Sequence, residues 1–209
     1  MKTIVIATGN SHKVEEFNRL AKVFSMPEIR FISAKDVLPG GMPHVVEDSG
    51  TFRGNARLKA SALKSCIPSD YFVLADDSGL CVDALDGNPG VETAYYAGPK
   101  ATSEENRKKL LTALSGIPAE KRGAYFICLL LLISPDGNEH IFEAKCTGTI
   151  SESESGDGGF GYDPIFIPQG FTQTFAELDG QTKDNLSHRG NAFAKLARFF
   201  TKNETLTPS

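Results

Sequence analysis

Apolar residues along the chain follow two rhythms, and the changes between them mark out the elements. Lys2 to Ala7 (KTIVIA) is a short β-branched run ending at Thr8, Gly9 and Asn10, the pattern of a buried strand entering a loop. From Lys13 the period lengthens. Val14, Phe17, Leu20, Ala21 and Phe24 recur three and four residues apart and predict a helix with one apolar face, stopped at Met26-Pro27. Ile29 to Ile32 predicts a second strand, followed by a Gly/Pro-rich loop through Pro43. Thr51 to Cys66 predicts a helix whose small residues permit close packing, and Tyr71 to Ala75 a buried strand running into Asp76-Asp77-Ser78-Gly79. The segment Gly87 to Gly98 holds too many turn residues for a regular element.

Ser103 to Leu114 reads as a helix, with Glu104 and Lys108, and Glu105 and Lys109, spaced to pair at i,i+4. Ala124 to Ser134 and His140 to Ile150 predict two long strands joined by a hairpin turn at Pro135 to Asn138 (PDGN). A Gly-rich loop leads to a short strand at Pro164–Ile167. The last helix starts near Ser187–Gly190 and runs to Phe200; the polar tail from Lys202 to Ser209 is expected to fray. Strands alternating with helices around a long hairpin predict an α/β fold with a mixed central sheet flanked by helices. Without repeats or a low-complexity linker, 1–209 reads as one domain, its length compatible with two lobes around a cleft.

Composition narrows the partners. The net charge of −4 provides no global basic field for DNA or RNA, so a nucleic-acid polymer is not expected as a partner; any nucleic-acid-like partner should be small and met by local positive groups, a limit that a nucleotide fits. Cys66, Cys81, Cys128 and Cys146 show no C-x-x-C spacing and read as reduced, mostly packed thiols. The longest apolar stretch, Phe126 to Ile133, is too short to span a bilayer, and Ile4 to Ile6 is too short for a leader's apolar region. A soluble cytoplasmic protein with no membrane partner is expected.

Five segments could do chemistry. Thr8, Gly9, Asn10, Ser11, His12 and Lys13 lie between a strand and a helix, where free N–H groups and the positive helix end favour an anion. Gly9 would let a phosphate approach and Lys13 would add charge, though the same residues would also serve as an ordinary turn capped by Asn10 or Ser11. The P-loop pattern is absent. Glu47-Asp48 and Asp76-Asp77-Ser78-Gly79 supply carboxylates, the second group after a buried strand, where open α/β sheets place ligands. Mg²⁺ takes a few carboxylate oxygens, waters and substrate phosphates, and one carboxylate can take a proton from water; a solvated Asx-turn is the competing reading.

Gly156 to Gly161 (GDGGFG) formally fits G-x-G-x-x-G, but a strand rather than a helix follows, so a dinucleotide fingerprint is rejected. The loop either wraps a ligand, with Phe160 stacking on a planar base, or is a flexible connection. Lys183, His188 and Arg189 gather near the start of the last helix. Lys183 could reach phosphate, and His188 and Arg189 could donate to a base carbonyl, unless the group is only a surface basic patch. No Ser-His-Asp order or G-x-S-x-G elbow points to a covalent nucleophile.

In chain order, Thr8-Gly-Asn-x-x-Lys13, Glu47 to Ala60 (EDSGTFRGNARLKA), Ala75 to Leu80 (ADDSGL), Gly87-x-Pro-Gly-Val91, Gly158 to Pro164 (GGFGYDP) and Ser187 to Gly190 (SHRG) resemble the non-canonical purine NTP pyrophosphatase family, the inosine/xanthosine triphosphate pyrophosphatases. The resemblance extends from the first strand to the last helix. It implies a two-lobed α/β fold around a substrate cleft, a homodimer, Mg²⁺ dependence and hydrolysis of ITP, dITP and XTP to the monophosphate and pyrophosphate. By position, Thr8 to Lys13 would hold the triphosphate, assisted by Lys183. Asp77 would accept the water proton and, with Glu47, hold Mg²⁺; Ser78 would contact substrate. Phe160, Gly161, Tyr162 and Asp163 would enclose base and sugar, and His188 and Arg189 would read the base edge.

Two positions depart from that pattern. The family's Glu-Asn-Ala is Gly54-Asn55-Ala56, and its Ser-Ala-Arg-Tyr is Thr93-Ala94-Tyr95-Tyr96. Neither change touches the phosphate, Asp77 or base-reading segments. Rival readings are a pyrophosphatase for modified pyrimidine or other nucleotides, and a module that senses a triphosphate without cleaving it.

Overall fold

The first strand sets the sheet. In the computed structural model, which describes residues 1–204 apart from the side chains of Ser11, His12, Asn203 and Glu204, β1 (Lys2–Ile6) pairs in parallel with β2 (Ile29–Ser33) and β3 (Phe72–Val82). The register sets Ile4 opposite Phe31 on one side and Phe72 on the other. β4 (Gly123–Ile133), β5 (Glu139–Ile150) and β6 (Phe166–Pro168) complete a six-stranded sheet in the order β2-β1-β3-β4-β5-β6. The β5–β6 pair is antiparallel, with Ile150 opposite Phe166, so the sheet is mixed as the pattern predicts. Helices α1 (Ser11–Val23), α2 (Phe52–Lys64), α3 (Ser103–Ala113), α4 (Gly180–Leu186) and α5 (His188–Glu204) flank it.

The described chain divides into two compact units, the first made of residues 1–77, 129–143 and 192–204, the second of 78–128 and 144–191. In the first, Val5 of β1, Ala7 just after it, and Val73 and Ala75 of β3 pack with Ala56, Ala60 and Leu63 of α2, where small side chains allow the helix to lie close. Phe17 and Phe31 meet Phe193 of α5 with ring centroids 5.6–5.8 Å apart. In the second unit, Leu80, Val82, Leu110, Leu114, Phe126 and Phe166 form the core. Arg122 is buried within it, and its guanidinium donates to the carbonyls of Leu114 (3.0 Å), Ile150 (2.8 Å) and Ser151 (2.7 Å).

Several expectations are corrected. β3 does not stop at Ala75 but continues through Asp76, Asp77 and Ser78 to Val82, so these acids sit in a strand and not in an Asx-turn. α4 lacks an apolar period and is a helix missed by the pattern; the last helix begins at His188, within the predicted start, but runs past Phe200 to Glu204. The final strand begins at Phe166 because Asp163–Ile165 forms a 3₁₀ turn, with Pro164 inside it. The Glu105–Lys109 pair gives way to stronger local partners. Glu105 closes a capping box with Thr102, while Lys109 donates to the Tyr96 carbonyl and lies over its ring. The PDGN turn is as predicted, with Gly137 at positive φ and its N–H bonded to the Ser134 carbonyl. All four cysteines are free; three are buried and Cys66 is exposed. Of the tail, Lys202 lies within α5, and residues 205–209 lie outside the described residues.

Candidate active site

The acidic residues gain their meaning from where β3 presents them. Successive strand residues face opposite ways, so Asp76 and Asp77 meet lysines from different helices. Asp76 is buried, and its Oδ2 lies 3.3 Å from Nζ of Lys13 on α1. Asp77 is half-buried, and its Oδ1 accepts from Nζ of Lys59 on α2 at 2.6 Å. The same nitrogen donates to Oε2 of Glu47 at 2.8 Å. Lys59 lies inside the motif from Glu47 to Ala60, but the sequence assigns it no role. Its signal lay in the helical period of α2, which begins at the Thr51 cap and carries Lys59 four residues beyond the buried Asn55. Asn55 fixes the preceding loop, accepting from the Ser49 N–H (3.2 Å) and hydroxyl (2.8 Å).

Burial is the largest influence on Asp77 and pushes its carboxyl up to about 6. Lys59 opposes that rise, and the nearby Glu47 and Asp76 carboxylates add to it. Burial alone would lower the Lys59 pKa, but the Asp77 and Glu47 carboxylates outweigh it and hold the ammonium above the ordinary lysine value. An ion pair alone would lower the pKa of its acid; Asp77 goes up because desolvation and two like charges prevail. Two carboxylates against one ammonium leave this group with one excess negative charge. Their oxygens converge on a single point already held by a cation, which is the donor set a hard divalent ion takes when phosphate and water supply its other ligands. Among the described residues, no group of three or more His, Cys, Asp or Glu could hold a metal without such help.

The loop before α1 offers little side-chain bulk. The Asn10 N–H donates to Thr8 Oγ1 at 3.1 Å, and a Cβ built at Gly9 would meet no atom within 4 Å. The side chains of Ser11 and His12 lie outside the described residues.

In the second unit, the loop between β5 and β6 carries Phe160, whose side chain is 64% exposed. A Cβ at Gly156 or Gly158 would press on the backbone at Ala176 or Glu177, so this path requires glycine. Asp163 Oδ2 accepts from both the Phe160 N–H and Lys183 Nζ, each at 2.6 Å. Lys183 sits on α4, capped by Asp179, with its ammonium 5.3 Å from the Phe160 ring centroid. The Arg189 guanidinium is 5.9 Å from the same ring, and His188 stacks on Phe126 at 4.7 Å. Phe160, Lys183 and Arg189 are thus brought together, while Asp163 and Tyr162 are buried supports. Tyr162 donates its hydroxyl to the Thr93 carbonyl at 3.0 Å, and burial pushes its pKa up. Ser78, next to Asp77 on β3, is half-buried.

The pattern of the Ham1 family matches residues 4–199. The chain belongs to the Ham1 family. It is 52% identical over 197 residues to the dITP/XTP pyrophosphatase of Opitutus terrae, covering 93% of this chain and 96% of that one. Among solved structures, the Staphylococcus aureus Ham1 protein is similar with a TM-score of 0.85 at 36% identity, covering 97% of this chain and 100% of its own. The nucleoside-triphosphatase / dITP/XTP pyrophosphatase from Mycobacterium abscessus gives a TM-score of 0.75 at 38% identity, covering 93% and 98%. The resemblance carried by the ordered motifs is borne out, as is the mixed α/β fold.

This Ham1 chain accommodates its departure at Gly54 through Ser49. Gly54 is the third residue of α2, where a Glu would complete a capping box with Thr51. Here a Cβ would collide with the Ser49 side chain, whose hydroxyl lies 3.0 Å from the Thr51 carbonyl. Tyr95 is 40% exposed at the end of a 3₁₀ segment, Gly90–Tyr95, and nothing in the structure explains why Tyr replaces Arg there.

Proposed function

We propose that this Ham1 chain hydrolyses the non-standard purine nucleoside triphosphates ITP, dITP and XTP to the monophosphate and pyrophosphate, with Mg²⁺. The carrying observation is Asp77, a carboxyl raised to about 6 beside Lys59 and Glu47, which is suited to accept a proton near neutral pH. The names of its relatives, dITP/XTP pyrophosphatases, support the substrate class.

Phosphate chemistry belongs to residues of the first unit. The open backbone at Gly9, the amides entering α1 and Lys13 would receive the triphosphate, offsetting the charge that repels an incoming water oxygen. Asp77 accepts a water proton as the oxygen bonds to the α-phosphorus; the bond to the bridging oxygen breaks, and pyrophosphate leaves with that electron pair. Glu47 and Asp77 would hold Mg²⁺, which when bound supplies charge neutralisation for the phosphates. Lys59 restrains both carboxylates and moderates their repulsion.

Base selection belongs to residues of the second unit. Phe160 supplies a ring face for the purine, and His188 and Arg189 donate toward a carbonyl at C6. Adenine presents an amino donor there, and a mismatch costs roughly 1–3 kcal/mol per buried unpaired group. Ser78, Gly161 and Lys183, the last held by the buried Asp163, complete the substrate contacts. The reading carries with it a homodimer, testable by sedimentation, and a cytoplasmic location; no described helix is long and apolar enough to cross a membrane.

The deciding experiment follows pyrophosphate release from ITP, XTP, GTP, ATP and pyrimidine triphosphates, with and without EDTA. Release from ITP and XTP that EDTA abolishes supports the proposal. Binding without release would leave a sensing module, and preference for pyrimidines would favour the rival pyrophosphatase.

A further inference from the structure

The Phe160 loop is tied at both ends by a single side chain from outside it. Arg107 projects from α3, and its Nε lies 2.9 Å from Oε1 of Glu154, near the start of the loop. Its Nη1 donates at 2.8 Å to the carbonyl of Gly161, the residue immediately after Phe160. α3 is a firm base for this reach. Leu110 is fully buried in the second unit's core, and the Asn106 side chain is bonded to Ala94 and Ala97. The Arg107 side chain is itself only 14% exposed.

The loop needs such a tie. Gly159 and Gly161, on either side of Phe160, both have positive φ (74° and 62°), so the aromatic residue hangs between the two most conformationally permissive positions of its segment. Asp163 fixes the N–H side of Phe160. One residue further on, Arg107 fixes the Gly161–Tyr162 peptide through the Gly161 carbonyl. The Glu154 contact is an ion pair without hydrogen-bond geometry at Nε, 40% exposed on the acid side, and contributes little alone; the directional tie is the charge-assisted bond from Nη1 to the Gly161 carbonyl.

We propose that Arg107 is a positioning residue for base recognition: by holding the Gly161 peptide it sets the Phe160 ring in the orientation in which a purine stacks. It touches neither substrate nor reacting atoms. The inference rests on the proposed role of Phe160, and it predicts a particular kinetic signature. Stacking is equal in the ground and transition states, so its loss raises KM and leaves kcat in place.

The chain has no tryptophan, so Phe160→Trp makes a single-fluorophore reporter of the loop. Arg107→Met is expected to raise KM for ITP about tenfold, the scale of one charge-assisted hydrogen bond, with kcat within about threefold. In the Phe160→Trp background the same substitution should lower tryptophan anisotropy and weaken quenching by inosine. Unchanged KM and unchanged anisotropy in folded Arg107→Met would overturn the proposal, as would a fall in kcat at constant KM. Should Arg107→Met fail to fold, Arg107→Lys keeps the charge but cannot span both contacts. There a rise of about threefold in KM is expected, and an unchanged KM overturns the proposal. If the parent protein releases no pyrophosphate from ITP, the functional reading fails by itself, and the anisotropy comparison still decides the role of Arg107.

Discussion

The Lys59 ammonium lies 2.6 Å from Oδ1 of Asp77, yet the Asp77 carboxyl holds its proton up to about pH 6. Attraction to lysine has not won because the group is desolvated and flanked by Glu47 and Asp76. Lys59 is thus the one influence keeping Asp77 from rising further. Replacing it with Met should shift the Asp77 carboxyl above 6, read by carbon-detected NMR titration of metal-free protein. A midpoint at or below 6 in Lys59→Met would contradict this account.

The same shift has a consequence for stability. Asp77 titrates near 3.8 when exposed and about 6 when folded, so the folded state binds the proton more tightly. Its contribution to stability is present below about pH 4 and is lost as pH rises through about 6. In EDTA, the melting temperature of the parent protein should therefore gain less, or fall more, between pH 4 and 7 than that of Asp77→Asn, which cannot titrate. Parallel melting curves for the two proteins across that range would exclude the effect.

As a proton acceptor, Asp77 should also dominate the rate. Asp77→Asn keeps the shape and removes the basicity, and a fall in kcat of about 10²-fold or more is expected from loss of a general base. Steady-state pyrophosphate release from ITP measures it, and a rate near that of the parent protein would remove Asp77 from this role.

Much of this arrangement was legible before folding, and what was not has physical reasons. The β1 strand, α1, α2 and the β4–β5 hairpin announced themselves because their apolar period is long and their turn residues are specific. Asp76 to Gly79 looked like a turn because acids and glycine disfavour strands locally; pairing within the sheet overrides that preference and so sends Asp76 and Asp77 to different lysines. α4 is seven residues long with no apolar stripe, held by the Asp179 cap, so periodicity could not reveal it. The roles of Lys59 and Arg107 were not legible because their partners, at 12 to 54 residues' remove, are set by tertiary packing.

Arg122 provides a test of the frame under the base-side loop. Its guanidinium satisfies the carbonyls of Leu114, Ile150 and Ser151, the last two where β5 gives way to that loop. The Leu114 carbonyl keeps the Ile117 N–H as a donor, so Arg122→Met strips donors chiefly from Ile150 and Ser151, at about 1–3 kcal/mol each, and a loss of roughly 2 kcal/mol or more is expected in urea unfolding. A loss under about 1 kcal/mol would mean that water replaces the guanidinium at no cost.

Gly54 sets local propensity against packing. In an exposed helical turn, Gly to Ala stabilises by about 1 kcal/mol. Here the added Cβ would strike Ser49, whose hydroxyl also holds Asn55 at 2.8 Å, so the loop bearing Glu47 would be displaced. Gly54→Ala is therefore expected to destabilise by about 1–3 kcal/mol, the scale of overpacking. Ser49→Gly should remove the two closest contacts and leave Thr51 Oγ1 at 2.9 Å, so Gly54→Ala should cost less in that background than in the parent. The four proteins form a double-mutant cycle readable by urea unfolding. Additive effects would show that Ser49 and Gly54 do not share one space, and that some other contact made glycine necessary at the start of α2.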